Sequence, residues 1–148
     1  MVSLKNRSKG FTIVELLIVI VVIAILATLV IVTFTGIQQK ARDSQRQTDI
    51  NALNSHLEAY YASNGNYPTL ANLQDGTWVS ANLKGLDPES LLDPKAAASA
   101  TIQGTAAANA YGYAVGPASC DNSTTQCATY TLTANLEAGG TFTKSSNT

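Results

Sequence analysis

Lys9-Gly10-Phe11-Thr12-Ile13-Val14-Glu15-Leu16-Leu17-Ile18-Val19-Ile20 opens a run of 24 residues, 11–34, of which 18 are Ile, Leu, Val or Phe, with no glycine and no proline. Its only formal charge is Glu15. At about 1.5 Å per residue a helix of this length covers roughly 36 Å, enough to cross a bilayer core of about 30 Å. The apolar side chains favour insertion by roughly 0.3 to 0.6 kcal/mol each, about 8 in total, against roughly 2.5 to 3.5 for an acid at a helix centre. The run is therefore read as a membrane segment. Glu15 lies near its end, and either the interface tolerates it there or it has a cationic partner.

A leader, residues 1–10, carries Lys5, Arg7 and Lys9 and no acid. The chain of 148 residues has 9 Lys and Arg and 10 Asp and Glu; outside the leader, 6 bases face 10 acids, a side-chain charge of −4. No basic stripe remains to neutralise phosphates, so direct nucleic-acid binding is not expected. A secretory signal peptide is the competing reading of the N-terminus. The apolar run exceeds the roughly 7 to 15 residues usual there, and Ala24 and Ala27 lack the A-x-A spacing. Flanking charge leaves orientation tied, because Lys40, Arg42 and Arg46 follow the run as the leader cations precede it.

The stretch from Lys9 to Ile20 resembles the signature of type IV prepilins, shared with type II secretion pseudopilins and competence pilins, and the resemblance extends over about residues 4–27. It implies that a membrane-embedded prepilin peptidase cuts between Gly10 and Phe11 and that the same enzyme methylates the new Phe11 amine. It also implies that Glu15 binds the amino terminus of a neighbouring subunit during filament assembly. Phe11 and Glu15 then stand at i and i+4, one face of a helix. An amine and a carboxylate from adjacent subunits neutralise two charges that hydrocarbon would penalise, and they set register more than they add stability. The implied partners are the peptidase/methyltransferase, copies of this chain and other pilins, and an assembly-platform membrane protein. Orientation with the N-terminus in the cytoplasm rests on this resemblance and on the cysteines.

The expected fold is α+β and pilin-like: a long N-terminal helix packed against a small antiparallel sheet. Residues 1–10 form the leader, 11–34 the transmembrane and assembly helix, 35–63 its amphipathic continuation, and 64–148 an exported head. No proline interrupts residues 35–63, and only Gly36 is a weak point; many relatives carry a proline in the second half of the apolar helix, and none stands near Val32 here. Residues 38–49 are almost wholly polar, after which Ile50, Leu53, Leu57 and Tyr60 recur at helical spacing and should pack under the sheet. Asn64-Gly65-Asn66-Tyr67-Pro68 reads as the helix stop, again as in pilins and pseudopilins. Asp87-Pro88-Glu89 reads as a short helix start, and Trp78 as a core anchor. Residues 95–110, rich in Ala, Thr and Ser, read as an exposed loop. Residues 111–115 and 128–137 alternate as strands of a hairpin, with Ala128, Tyr130, Leu132, Ala134 and Leu136 on one face, and a short third strand is expected at 141–143.

Cys120 and Cys127 enclose a short polar loop, and in an exported domain such a pair reads as a disulfide, with two free thiols as the alternative. No histidine lies near enough in sequence to suggest zinc. No metal or cofactor is expected, since the acids are scattered rather than clustered. His56, the only histidine, is read as a helix-surface or packing residue, and Asn122-Ser123-Thr124 as a chance glycosylation sequon. With no catalytic constellation, the chain is read as a non-enzymatic structural subunit. The alternative is a membrane-anchored exported binding domain that does not polymerise.

Overall fold

The computed structural model describes residues 10–97 and 100–147. The leader cations Lys5, Arg7 and Lys9 lie outside the described residues. One helix, α1, Ile13–Asn64, runs for 52 residues, and its helical assignment is unbroken through Gly36. By contacts the chain divides into Met1–Gln38 and Gln39–Thr148.

In the first unit every residue whose burial is described is exposed, and the described large apolar side chains from Phe11 to Ile37 are 47% to 83% exposed. That side-chain set, all round the helix, suits hydrocarbon or the helices of other subunits and not water. By length and composition α1 can cross a bilayer.

In the second unit α1 turns amphipathic. Ile50, Leu53 and Leu57 are fully buried, each worth roughly 1.5 to 3 kcal/mol against exposure. Gly65 takes φ 75° and its amide donates to the Tyr61 carbonyl at 2.7 Å, ending the helix as the Asn-Gly step foretold. Two short helices follow, α2, Leu70–Gln74, and α3, Gly76–Asn82, with Thr69 and Asp75 as their N-caps. Asp87 caps a 3-10 turn, Pro88–Leu91. The sheet has the order β1-β2-β3, with β1, Gly112–Gly116, antiparallel to β2, Thr129–Asn135, and β2 antiparallel to β3, Thr141–Ser145. Tyr113 pairs with Leu132 and Ala134 with Phe142. The α+β expectation is met.

The core joins Ile50, Leu53 and Leu57 to Tyr67, Tyr113, Tyr130, Leu132 and Ala134. Tyr130 meets Tyr67 edge-on at 4.6 Å between ring centres, and the Tyr113 hydroxyl donates to the Pro68 carbonyl at 2.7 Å. These aromatic pairs add to simple burial.

Four points of the sequence reading need adjusting. Residues 38–49, almost wholly polar in sequence, nevertheless bury Asp43, Arg46 and Asp49. Residues 95–110 are not merely an exposed loop: Ile102 and Ala110 are buried, and Gln103 bridges Gly112 in parallel. Trp78 is half-buried and packs on Tyr60 at 5.4 Å, at the rim of the core and not within it. On β2 the alternation holds for Tyr130, Leu132 and Ala134, while Ala128 is exposed and Leu136 half-buried.

Candidate processing and assembly site

Gly10, Phe11 and Thr12 precede the first helical residue and are exposed, so the Gly10-Phe11 peptide bond lies in non-helical backbone. A peptidase needs an extended, reachable bond, and the helix begins only after it. Phe11 and Glu15 therefore do not share a helix turn in this chain, unlike the i, i+4 reading of the sequence.

What fixes the helix start is a pair of reciprocal bonds. The Glu15 amide donates to Thr12 Oγ1 at 3.2 Å, and the Thr12 amide donates to Glu15 Oε2 at 2.8 Å. Thr12 Oγ1 also donates to Glu15 Oε2 at 2.7 Å. Two amides that a helix terminus leaves orphaned are thereby satisfied. Thr12-Ile13-Val14-Glu15 spells this capping box in the sequence, where a hydropathy reading shows Glu15 only as a charge in an apolar run. Glu15 Oε2 takes both bonds from Thr12, whereas Oε1 has no partner among the described residues. One carboxylate thus carries a local duty on one oxygen and leaves the other open to a donor from outside the chain.

A second cluster lies within the second unit. The Arg46 guanidinium, 1% exposed, donates through Nε and Nη2 to Asp93 at 2.6 and 2.9 Å and through Nη1 to Asp43 at 2.7 Å. Glu137 Oε1 lies 3.0 Å from Arg46 Nη1, and Arg42 holds Glu137 in a fork with both bonds at 2.6 Å. Lys95 adds a longer contact to Glu137 at 3.8 Å. Arg42 holds the Glu137 carboxyl down to about 2 against the cost of burial, helped by Arg46 and Lys95. Burial pushes Asp43 up, but the amides of Glu137 and Ala138, with Arg46, outweigh it and leave its carboxyl below the usual range. Asp49 goes the other way: burial raises it, Asp87 and Asp93 add to the rise, and the hydrogen bond from Tyr111 at 2.8 Å only partly opposes them. The cluster ties α1, the residues after the 3-10 turn and the β2–β3 connection to one cation. Its acids and bases are paired with one another, the arrangement of a structural tie.

Cys120 and Cys127 form the expected disulfide, with their Cα atoms 5.2 Å apart. Inside that loop Asp121 accepts from the amides of Ser123, Thr124 and Thr125, which lowers its carboxyl below the ordinary range, the Thr125 and Thr124 amides counting most. Asn122 Nδ2 donates to the Tyr67 carbonyl at 2.7 Å, and its Oδ1 accepts from the Cys127 amide at 2.7 Å. Asn122 thus fastens the loop through both ends of its amide, a structural duty within the sequon. Among the described residues no group of three or more His, Cys, Asp or Glu is arranged to hold a metal ion.

The prokaryotic N-terminal methylation motif matches residues 5–31. The chain is 42% identical over 65 residues to the type II secretion system core protein G of Aeromonas hydrophila, covering 44% of this chain and 46% of that one. Against the core protein G of Escherichia coli (strain K12) the identity is 39% over 64 residues, 43% of this chain and 44% of the relative. The type IV major pilin protein PilA of Myxococcus xanthus is 33% identical over 66 residues, 45% of this chain and 30% of that protein. The chain thus spans less than half the length of the curated relatives it matches. No solved structure matches it. Over about 65 residues the chain is thus similar to type II secretion core proteins G and to a type IV pilin, and it carries the methylation motif.

Proposed function

We propose that this chain is a pilin or pseudopilin, a structural subunit cut by a prepilin peptidase between Gly10 and Phe11, methylated on Phe11, and polymerised through α1 into a type IV pilus-like filament. The observation that carries the reading is Glu15. It opens an apolar run, residues 11–34, whose described large side chains are all exposed in this chain, inside the methylation motif, and one of its oxygens has no partner among the described residues. Cleavage creates a cationic Phe11 amine. A carboxylate of one subunit receiving the amine of the next removes both charges from the hydrocarbon side, and a slipped subunit would strand them.

Assembly then involves the peptidase/methyltransferase, copies of this chain and other pilins, and a platform protein in the membrane. The precursor spans the cytoplasmic membrane with its leader inside. Flanking charge alone leaves that orientation tied, and the likeness to prepilins supports it.

Mass spectrometry of the mature N-terminus tests processing, with N-methyl-Phe11 as the expected first residue. Electron microscopy of sheared surface material tests polymerisation. A stable chain that keeps Met1 in its native host would overturn the reading in favour of a plain membrane anchor.

A further inference from the structure

A groove of about 240 Å³ in the second unit lies between α1 and the end of α3, lined by His56, Tyr60, Asn64, Asn82, Leu83 and Lys84 among others. Neither the N-terminal site nor the ion cluster uses these side chains. Around the groove the short polar groups are bonded back onto their own helices. Ser63 Oγ donates to the Ala59 carbonyl at 3.2 Å, Asn64 Nδ2 to that of Tyr60 at 2.9 Å, and Asn82 Nδ2 to that of Trp78 at 2.9 Å. Three polar heads remain. Among the described residues the His56 imidazole, the Tyr60 hydroxyl and the Lys84 ammonium have no hydrogen-bond or ion-pair partner, and all three line the same groove.

The carbonyl ends of two helices would ordinarily make such a place unfriendly to an anion. Here some of them are covered: besides the Asn64 and Asn82 amides on the Tyr60 and Trp78 carbonyls, the Gly65 amide donates to Tyr61 O at 2.7 Å and the Leu83 amide to Val79 O at 2.8 Å, and the Lys84 ammonium stands beside the rest. What then faces the groove is an ammonium, an imidazole and a phenol, beside the apolar walls of Ala59, Leu83 and a Tyr60 ring backed by Trp78. Charge-assisted donors over an apolar and aromatic wall suit a carboxylate attached to a carbon skeleton.

We propose that this groove binds an organic carboxylate, with Lys84 and His56 on the carboxylate oxygens and Tyr60 against the carbon skeleton. The carboxylate belongs either to a free small acid or to an Asp or Glu side chain of a neighbouring copy, and the experiment separates these sources.

His56 is the only histidine, so its imidazole gives a single reporter resonance set in NMR spectra of the full-length protein in zwitterionic detergent. Citrate added at constant ionic strength is expected to shift those resonances saturably. Lys84→Met should weaken that response about tenfold, the scale of one charge-assisted hydrogen bond. Tyr60→Phe, which keeps the ring, should weaken it less, and inorganic phosphate should give no saturable shift. In assembled filaments without additive, a His56 resonance already at the citrate-bound position identifies a neighbouring copy as the source. A groove still open to citrate there identifies a free acid. An absence of saturable shift in both samples, an unchanged citrate affinity in Lys84→Met, or equal affinity for phosphate would overturn the proposal. The micelle titration decides this whether or not the chain polymerises.

Discussion

Glu15 bonds through one oxygen and leaves the other bare, which allows its capping role and its charge to be separated. Gln at the same position can still accept from the Thr12 amide, since Glu and Gln both serve the third helical position of a capping box. Glu15→Gln is therefore expected to insert, to be cleaved, and to keep the helix start, yet to yield no filaments, as with Glu15→Ala. Sheared material examined by electron microscopy, with mass spectrometry of the N-terminus as the processing control, checks this; filaments at the parental level from the Gln variant would show that the negative charge is dispensable. Arg46 is a residue of the opposite kind, a buried cation holding Asp43, Asp93 and Glu137. Arg46→Met strands those carboxylates and should cost about 3 to 5 kcal/mol in urea unfolding of the full chain in detergent, followed by near-ultraviolet dichroism of the tyrosines. Acid acts on the same cluster with a sign that can be worked out. Glu137 and Asp43 have folded pKa values below their unfolded ones, so their contribution is present above the unfolded pKa and fades as pH falls from about 4 towards the folded values near 2 and below the usual Asp range. Asp49, raised by burial, contributes in the reverse sense, most favourably when protonated. Asp49→Asn should accordingly raise stability at pH 7, with the gain shrinking as pH drops to about 4 and below; an equal gain at both ends of that range would show that its charge is not the cause. The roles of Arg46, Asp43, Asp49 and Glu137, unlike that of Glu15, were not legible before folding, because a charged residue at helical spacing looks the same whether water or carboxylates distant in sequence surround it.

At the scale of elements, the period of apolar side chains told most of the story. The spacing of Ile50, Leu53 and Leu57 marked the buried face of α1, and Tyr130, Leu132 and Ala134 marked that of β2. The Asn64-Gly65 step marked the helix end to within a residue. The buried face nevertheless starts earlier, at Asp43 and Arg46, where the pattern is carried by charges that a hydropathy reading discards. The segment before β1 was harder still, since its small residues carry no pattern and only Ile102 hinted at burial. Its packing instead constrains the strand beside it. A Cβ placed on Gly112 would lie 2.4 Å from the backbone nitrogen of Ala106, and backbone cannot swing aside as a flexible side chain does. Gly112→Ala should therefore cost about 1 to 3 kcal/mol, the range of overpacking in a tight interior. Gly104→Ala, whose Cβ would meet Leu70 Cδ2 at an ordinary 3.5 Å, should be close to neutral. Equilibrium unfolding of the two variants side by side checks the contrast, and equal stabilities would mean that residues 103–110 yield more readily than their bonds with Tyr111 and Tyr113 suggest.

For the molecule as a whole, the two units answer to different solvents. Among the described residues every member of the hydrophobic core lies beyond Gln38, from Ile50 to Ala134, while the described apolar side chains before it are exposed. The sequence contained both facts, one as an unbroken apolar run and the other as a return of amphipathic spacing, which is why the α+β organisation was readable where the ion cluster was not. The division has a consequence for folding. A chain starting at Gln39 keeps α1 from that point, the sheet, the Arg46 cluster and the Cys120–Cys127 bridge, and it discards only surface that asks for lipid or for other helices. It is expected to be soluble without detergent, monomeric in sedimentation, and folded, with the near-ultraviolet dichroism of a packed tyrosine core. The full chain should need detergent or self-associate. Opening the disulfide in that fragment should lower its stability by about 2 kcal/mol, as a short closed loop predicts, without unfolding it, because Asn122 still bonds Tyr67 and Cys127 across the loop. A fragment that is unfolded even when oxidised would show that residues before Gln39 take part in the fold of the second unit, and the separation between an assembling helix and a self-sufficient head would fail.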